Sequence, residues 1–144
     1  MNNLKFRAWD KKLKEMARVV SLSFYDEKSP YKGGSTESFL YFPRLENTAL
    51  RSFSEIVLEQ YTGLKDKNGI EICVGDIVDT HDDEHNSSKL IIEFREGNYV
   101  GVDDNVGYEE PISNHQYKDW EVIGNVHENG ELLATIYEST PAKR

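Results

Sequence analysis

Between Gln60 and Asp79 the chain reads QYTGLKDKNGIEICVGDIVD, and this stretch packs two turn signals and two short β-branched runs into twenty residues. Thr62-Gly63 ends one run. Asp66-Lys67-Asn68-Gly69 is a tight reversal, because Asn and Gly tolerate the positive φ values that a two-residue hairpin demands. Ile70–Val74 then forms a short strand, and Gly75-Asp76 turns the chain again before Ile77-Val78. Such spacing calls for short strands and reversals, and it divides the sequence into unlike halves.

The first half begins with Leu4-Lys5-Phe6-Arg7-Ala8-Trp9, in which Leu4, Phe6 and Ala8 alternate with Lys5, Arg7 and Trp9. Strict period two marks a half-buried strand. Asp10-Lys11-Lys12 is its turn, and Val20, Leu22 and Phe24 alternate with Ser21 and Ser23 on the return, so residues 4–25 read as a hairpin. Residues 26–37, with Pro30 and Gly33-Gly34, read as a mobile loop. Phe39-Leu40-Tyr41-Phe42 follows, stopped by Pro43. Four successive large apolar side chains cannot share one face of a strand, so either both faces are covered or part of the run meets another subunit. Residues 47–60 admit two readings. Leu50, Phe53, Val57 and Tyr61 recur at helical spacing, whereas Ile56-Val57-Leu58 favours a strand over Glu55–Tyr61.

In the second half, His81–Ser88 is a polar loop, Lys89–Phe94 a strand, Glu96-Gly97-Asn98 a turn and Tyr99–Val102 its return. Asp103–Asn114 reads as an acidic loop. Trp120, Val122 and Val126 share a strand face with Gly124 between them, and Asn129-Gly130 turns into a last strand, Leu132–Tyr137. About five short strands separated by turns predict a small, partly open SH3-like barrel over 61–138, with a frayed tail at 139–144. The expected fold class is therefore all-β or mainly β: an N-terminal hairpin layer over 1–60 plus that C-terminal barrel.

The segment QYTGLKDKNGIEICVGDIV resembles the hallmark of the YopX family of small proteins from bacteriophages and prophages of low-GC Gram-positive bacteria. Phe6-Arg7-Ala8-Trp9-Asp10, followed by Met16, resembles the family's N-terminal start. Trp120-Glu121-Val122-Ile123-Gly124-Asn125-Val126-His127-Glu128-Asn129 resembles its C-terminal end. The three segments lie in family order and bracket nearly the whole chain, although 27–51 carries none of the pattern. The resemblance implies a phage or prophage setting and brings no catalytic residues with it. It also favours the strand reading of Glu55–Tyr61.

Charge narrows the partners. The net charge is −9, with ten Lys/Arg against eight Asp/Glu in residues 1–59 and seven against eighteen in residues 60–144. So acidic a second half would repel phosphates and argues against sheet-wide contact with nucleic acid. The sharpest basic patch, Lys5, Arg7, Lys11, Lys12 and Lys14, is small enough for an ordinary solvated hairpin, with nucleic-acid binding through it as the alternative. No apolar run approaches the roughly 18 residues of a membrane span. The N-terminus lacks the apolar core of a signal peptide, and Cys73 is the single cysteine, so a reducing host cytoplasm is expected.

Chemistry-bearing constellations are weak. His81-Asp82-Asp83-Glu84-His85 crowds metal-type ligands, but in a loop without a helix to align them, so no metal or other cofactor is expected. Adjacent carboxylates at Asp82-Asp83, Asp103-Asp104 and Glu109-Glu110 point apart and solubilise rather than catalyse. No GxSxG, Walker or GxGxxG motif occurs, and an enzyme is not expected. Trp9, on the polar face of the first strand, can pack under a loop, anchor an interface or stack on a base. The function expected is a protein-interaction module that forms a homo-oligomer and acts on a host or phage protein. Its candidate surface comprises Trp9, Phe39, Tyr41, Phe42, Asp82, Asp83, Glu84, Asp103, Asp104, Glu109 and Glu110.

Overall fold

The computed structural model describes residues 4–24, 36–81, 88–114 and 116–133. The chain divides into two units, Met1–Gln60 and Tyr61–Arg144. Both are built from antiparallel strands, and the protein is mainly β.

In the first unit, β1 (Phe6–Asp10), β2 (Glu15–Ser23), β3 (Glu37–Phe42), β4 (Asn47–Ser52) and the first half of β5 (Ile56–Lys65) lie in the order β4-β3-β2-β1-β5. Period two decides what each strand buries. Ala8 sits opposite Ala17 on one side and Leu58 on the other. These small contacts let Leu40, Phe42 and Ile56 close a core, against which Val19, Ala49, Phe53 and Leu58 pack. The run Phe39–Phe42 simply alternates: Leu40 and Phe42 are buried, while Phe39 and Tyr41 lie on the opposite face. Phe42 is thus a core residue and not part of an interaction surface.

Two expectations fail here, and the open choice at 47–60 falls to the strand reading, each for an identifiable reason. A register shift between Val19 and Ser21 inserts an extra residue into β2, so the alternation changes phase. Val19 joins the core and Val20 is left 53% exposed. Residues 47–60 are two strands joined by a 3-10 turn at Phe53–Glu55, not a helix. Glu55 Oε2 accepts the Ser52 N–H at 3.0 Å, which closes that turn. Thr62-Gly63 does not end the following strand either. It is an irregularity inside β5, with Gly63 at φ +84.

The second unit contains a ribbon and a sheet. The ribbon pairs Tyr61 and Lys65 of β5 with Cys73 and Glu71 of β6 (Glu71–Cys73). The sheet comprises β7 (Asp76–Asp79), β8 (Lys89–Arg95), β9 (Asn98–Asp103), β10 (Tyr108–Pro111) and β11 (Glu121–Asn125), in the order β10-β9-β8-β7-β11. It is open at β10 and β11 and does not close into the expected SH3-like barrel. Closure needs both edges paired. Pro111 ends β10 without an N–H to offer, and the chain turns into 3-10 segments at Ile112–Asn114 and Gln116–Asp119.

Ile72, Val78, Leu90, Ile92, Ile112 and Trp120 form this unit's core. Trp120 fits because position 101 is glycine: a Cβ there would stand 2.9 Å from Leu90 Cδ1 and 3.2 Å from Trp120 Cη2. Two further expectations change. Only 104–107 of the acidic stretch is a turn, since Tyr108–Pro111 pairs with β9. Residues 130–133 form a helical turn where a strand starting at Leu132 was expected, and Asn125 Oδ1 caps the approach by accepting the His127 and Glu128 N–H groups. The loop expected at 26–37 lies outside the described residues except for Thr36 and Glu37.

Candidate interaction surface

The twenty-residue stretch that sets the fold is held by two carboxylates. Asp66 is buried, and its Oδ1 accepts the N–H groups of Asn68 and Ile70 at 2.8 and 2.9 Å. Its Oδ2 accepts the Val122 N–H at 2.8 Å, which ties the turn to β11. The turn is therefore wider than a two-residue hairpin, with Gly69 alone at positive φ. Asp76 Oδ2 accepts the Cys73 N–H at 2.8 Å across Val74-Gly75. Both carboxylates serve main-chain donors, and these bonds hold the fold.

In the first unit, strand register decides which candidates meet. Trp9 pairs with Met16 on β2 and Val57 on β5, Arg7 with Arg18, Arg18 with Tyr41, and Phe39 with Leu50. Directly paired residues share a face. Trp9, Arg18, Tyr41, Phe39 and Leu50 therefore stand on the face opposite the core. Phe39 is 36% exposed and Leu50 56% exposed. Arg18 lies over the Tyr41 ring, its Cζ 5.1 Å from the centroid. Three of the four aromatic candidates are thus brought together. Leu50, Val20 and Arg18 were not anticipated: Leu50 looked like part of a helix face, and a cross-strand stack cannot be read from one strand.

The basic candidates do not gather. Arg7 is mostly buried, with Nε 3.1 Å from Glu59 Oε1, so it is not available to a phosphate. Lys5 precedes β1, whereas Lys11, Lys12 and Lys14 lie in the turn at its other end, with Lys11 Nζ donating to the Ser54 carbonyl at 3.2 Å. Five strand residues separate these two groups by about 17 Å.

Of the acidic candidates, Asp104 and Glu109 meet at one arginine. Arg95 holds Glu93 at 2.7 Å, Asp104 at 2.9 Å and Glu109 at 3.6 Å. That guanidinium's hydrogen bond keeps the Asp104 carboxyl below the ordinary carboxylate range. Asp103 accepts the Asn105 N–H at 3.0 Å, and buried Glu110 accepts the Tyr108 hydroxyl at 2.8 Å. Asp82, Asp83, Glu84 and His85 lie outside the described residues. His81 is described, with Nε2 2.8 Å from Glu121 Oε2 and Nδ1 3.7 Å from Asp79 Oδ1. Among the described residues, no group of three or more His, Cys, Asp or Glu is placed to hold a metal ion. Cys73 is buried within β6. Burial pushes the neighbouring Tyr99 phenol above its ordinary value, and Cys73 adds to the effect. No helix of the described residues is long and apolar enough to cross a membrane.

Fold and surface together define a small, mainly β protein of two antiparallel units that presents an aromatic sheet face. Residues 5–134 match the family described as YopX protein, and the chain belongs to that family. Protein EF1440 from Enterococcus faecalis has a similar crystal structure, at 33% sequence identity and a TM-score of 0.60, covering 92% of this chain and 99% of that one. The crystal structure of protein yopX from Bacillus subtilis shares the fold at 21% identity and a TM-score of 0.59, covering 92% and 98%. No curated protein matches the sequence.

Proposed function

We propose that this protein is a non-catalytic interaction module, an accessory protein of a phage or prophage. It acts in the host cytoplasm on a host or phage protein, and self-association is part of the same proposal. Its contact surface is the outer face of the first sheet. The observation that carries this reading is the register that gathers Trp9, Tyr41, Phe39 and Leu50 on one face, with Phe39 and Leu50 substantially exposed. Aromatic and apolar side chains held on rigid strands form interface anchors, because little rotamer freedom remains to be lost on binding.

The test is an affinity capture from host lysate with nuclease treatment, comparing the parent with the double variant F39S/L50S. A stoichiometric, nuclease-resistant partner that the double variant fails to recover supports the proposal. Recovery that disappears on nuclease treatment moves the function to nucleic acid and to Lys5, Lys11, Lys12 and Lys14. An empty capture overturns the interaction reading.

A further inference from the structure

We infer that the outer face of the first sheet takes an acidic protein segment carrying a large apolar side chain, laid on the face rather than added to the edge of the sheet. The inference rests on the interaction reading above and names the chemistry of the partner. Three observations carry it.

The first is a cation left for a partner. Of the two arginines paired across β1 and β2, Arg7 is already neutralised by Glu59. Arg18 is exposed, and among the described residues it stacks on the Tyr41 ring. An arginine stacked on an aromatic face keeps its planar edge of N–H donors free, and that edge matches a carboxylate. The stack also fixes the guanidinium in place before a ligand arrives, which reduces the ordering needed on binding.

The second is the apolar ground beside it. Tyr41 and Phe39 stand two residues apart on the same face of β3, and Leu50 is directly opposite Phe39. Val20, the extra residue of the bulge in β2, is exposed next to Ser21, which pairs with Phe39. A carboxylate on Arg18 therefore places a neighbouring apolar side chain within reach of Phe39 and Leu50.

The third is a blunted edge. Thr48, Leu50 and Ser52 are alternate residues of β4, the outermost strand in the order, and other groups already meet their main chain. Asn47 Oδ1 accepts the Thr48 N–H at 2.8 Å, and Glu55 Oε2 accepts the Ser52 N–H at 3.0 Å. Arg51 Nη1 donates to the Leu50 carbonyl at 3.1 Å. An added strand would have to displace all three, so the edge resists pairing while the face stays open.

The experiment selects short random peptides, displayed on yeast, against the full-length protein, with R18E, F39S and L50E in parallel. All three substitutions fall on exposed positions, and a cooperative thermal transition with parent-like circular dichroism verifies that each variant folds. The expected peptides join Asp or Glu to Phe, Leu or Trp, and they lose about tenfold or more in affinity for each variant. Against R18E the selection switches to basic peptides. Enrichment of neutral or basic peptides on the parent, equal binding to F39S, or no enrichment at all overturns the inference. A captured partner whose contact segment is neutral or basic overturns only the acidic preference and leaves the interaction reading standing.

Discussion

Arg18 and Tyr41 meet across β2 and β3, with the guanidinium carbon 5.1 Å from the ring centroid on the face that the core does not use. The inner face of the same strands carries Leu40 and Phe42 packed with Ala17. One sheet thus has a side that makes the fold and a side that, on the proposal above, makes the contact. Substitutions on the two sides should separate cleanly.

Phe42→Ala, on the inner side, should destabilise the protein by about 3–5 kcal/mol, the cost of lost burial plus a cavity. Phe39→Ser, on the outer side, should cost about 1 kcal/mol, from partial burial and the cross-strand pair with Leu50. Urea denaturation followed by tryptophan fluorescence or circular dichroism measures both. Similar losses for the two would mean that Phe39 is as buried in solution as Phe42.

Asp10 is wholly buried, and its Oδ2 lies 2.7 Å from Arg51 Nε while Oδ1 accepts the N–H groups of Lys12 and Leu13. Asp10→Ala removes the charge partner of a mostly buried guanidinium together with the turn's acceptor, and should cost about 3–5 kcal/mol. Arg51→Ala leaves the carboxylate buried and should cost a similar amount. The double variant should cost less than the two single losses added together, since the interaction can be lost only once. Strict additivity in denaturation midpoints would show that the two residues act independently.

Asp66→Ala deletes the acceptor of three main-chain donors, one of them the Val122 N–H on β11. Leaving buried donors unpaired costs about 1–3 kcal/mol each where water cannot replace the partner. Amide hydrogen exchange should quicken at Asn68, Ile70 and Val122 ahead of the rest of the unit. If Val122 kept its parent rate, the tie between turn and strand would be refuted.

Asp104 has its folded pKa lowered by the Arg95 hydrogen bond, so it favours the folded state at neutral pH. That contribution is present above the unfolded carboxylate pKa of about 3.9 and is lost as pH falls through the depressed folded value. A carboxyl-carbon NMR titration should place Asp104 below an ordinary aspartate, and Arg95→Gln should return it towards the usual range. A midpoint unaffected by that substitution would contradict the assignment.

Much of this architecture was legible because turns and alternation are local. The first strand, found at Phe6–Asp10 rather than 4–9 and leaving Leu4 exposed, the Glu96-Gly97 reversal with both residues at positive φ, and the strands at 89–94 and 99–102 follow from period two and from glycine. What escaped depends on neighbours that sequence does not display. The bulge at Val19–Ser21 is set by pairing with β3, and it moved Val20 from the expected inner face to the surface. Tyr108–Pro111 looked like loop because an edge strand can hold two glutamates and a proline. The expected barrel failed because short strands and turns do not say which edges meet. Of the surface, the aromatic residues Trp9, Phe39 and Tyr41 could be read from the chain. Leu50 and Arg18 could not, since each belongs to the face only through its cross-strand partner.

Site-specific photo-crosslinking in host lysate tests contact through the outer sheet face. A benzophenone side chain replaces Phe39 in one preparation and Phe94, an exposed aromatic of the second unit, in another. A discrete protein adduct is expected from position 39, absent from position 94 and competed away by unlabelled parent protein. An adduct from position 94 alone, or none from position 39 beside a partner captured in stoichiometric amount, would contradict contact through that face.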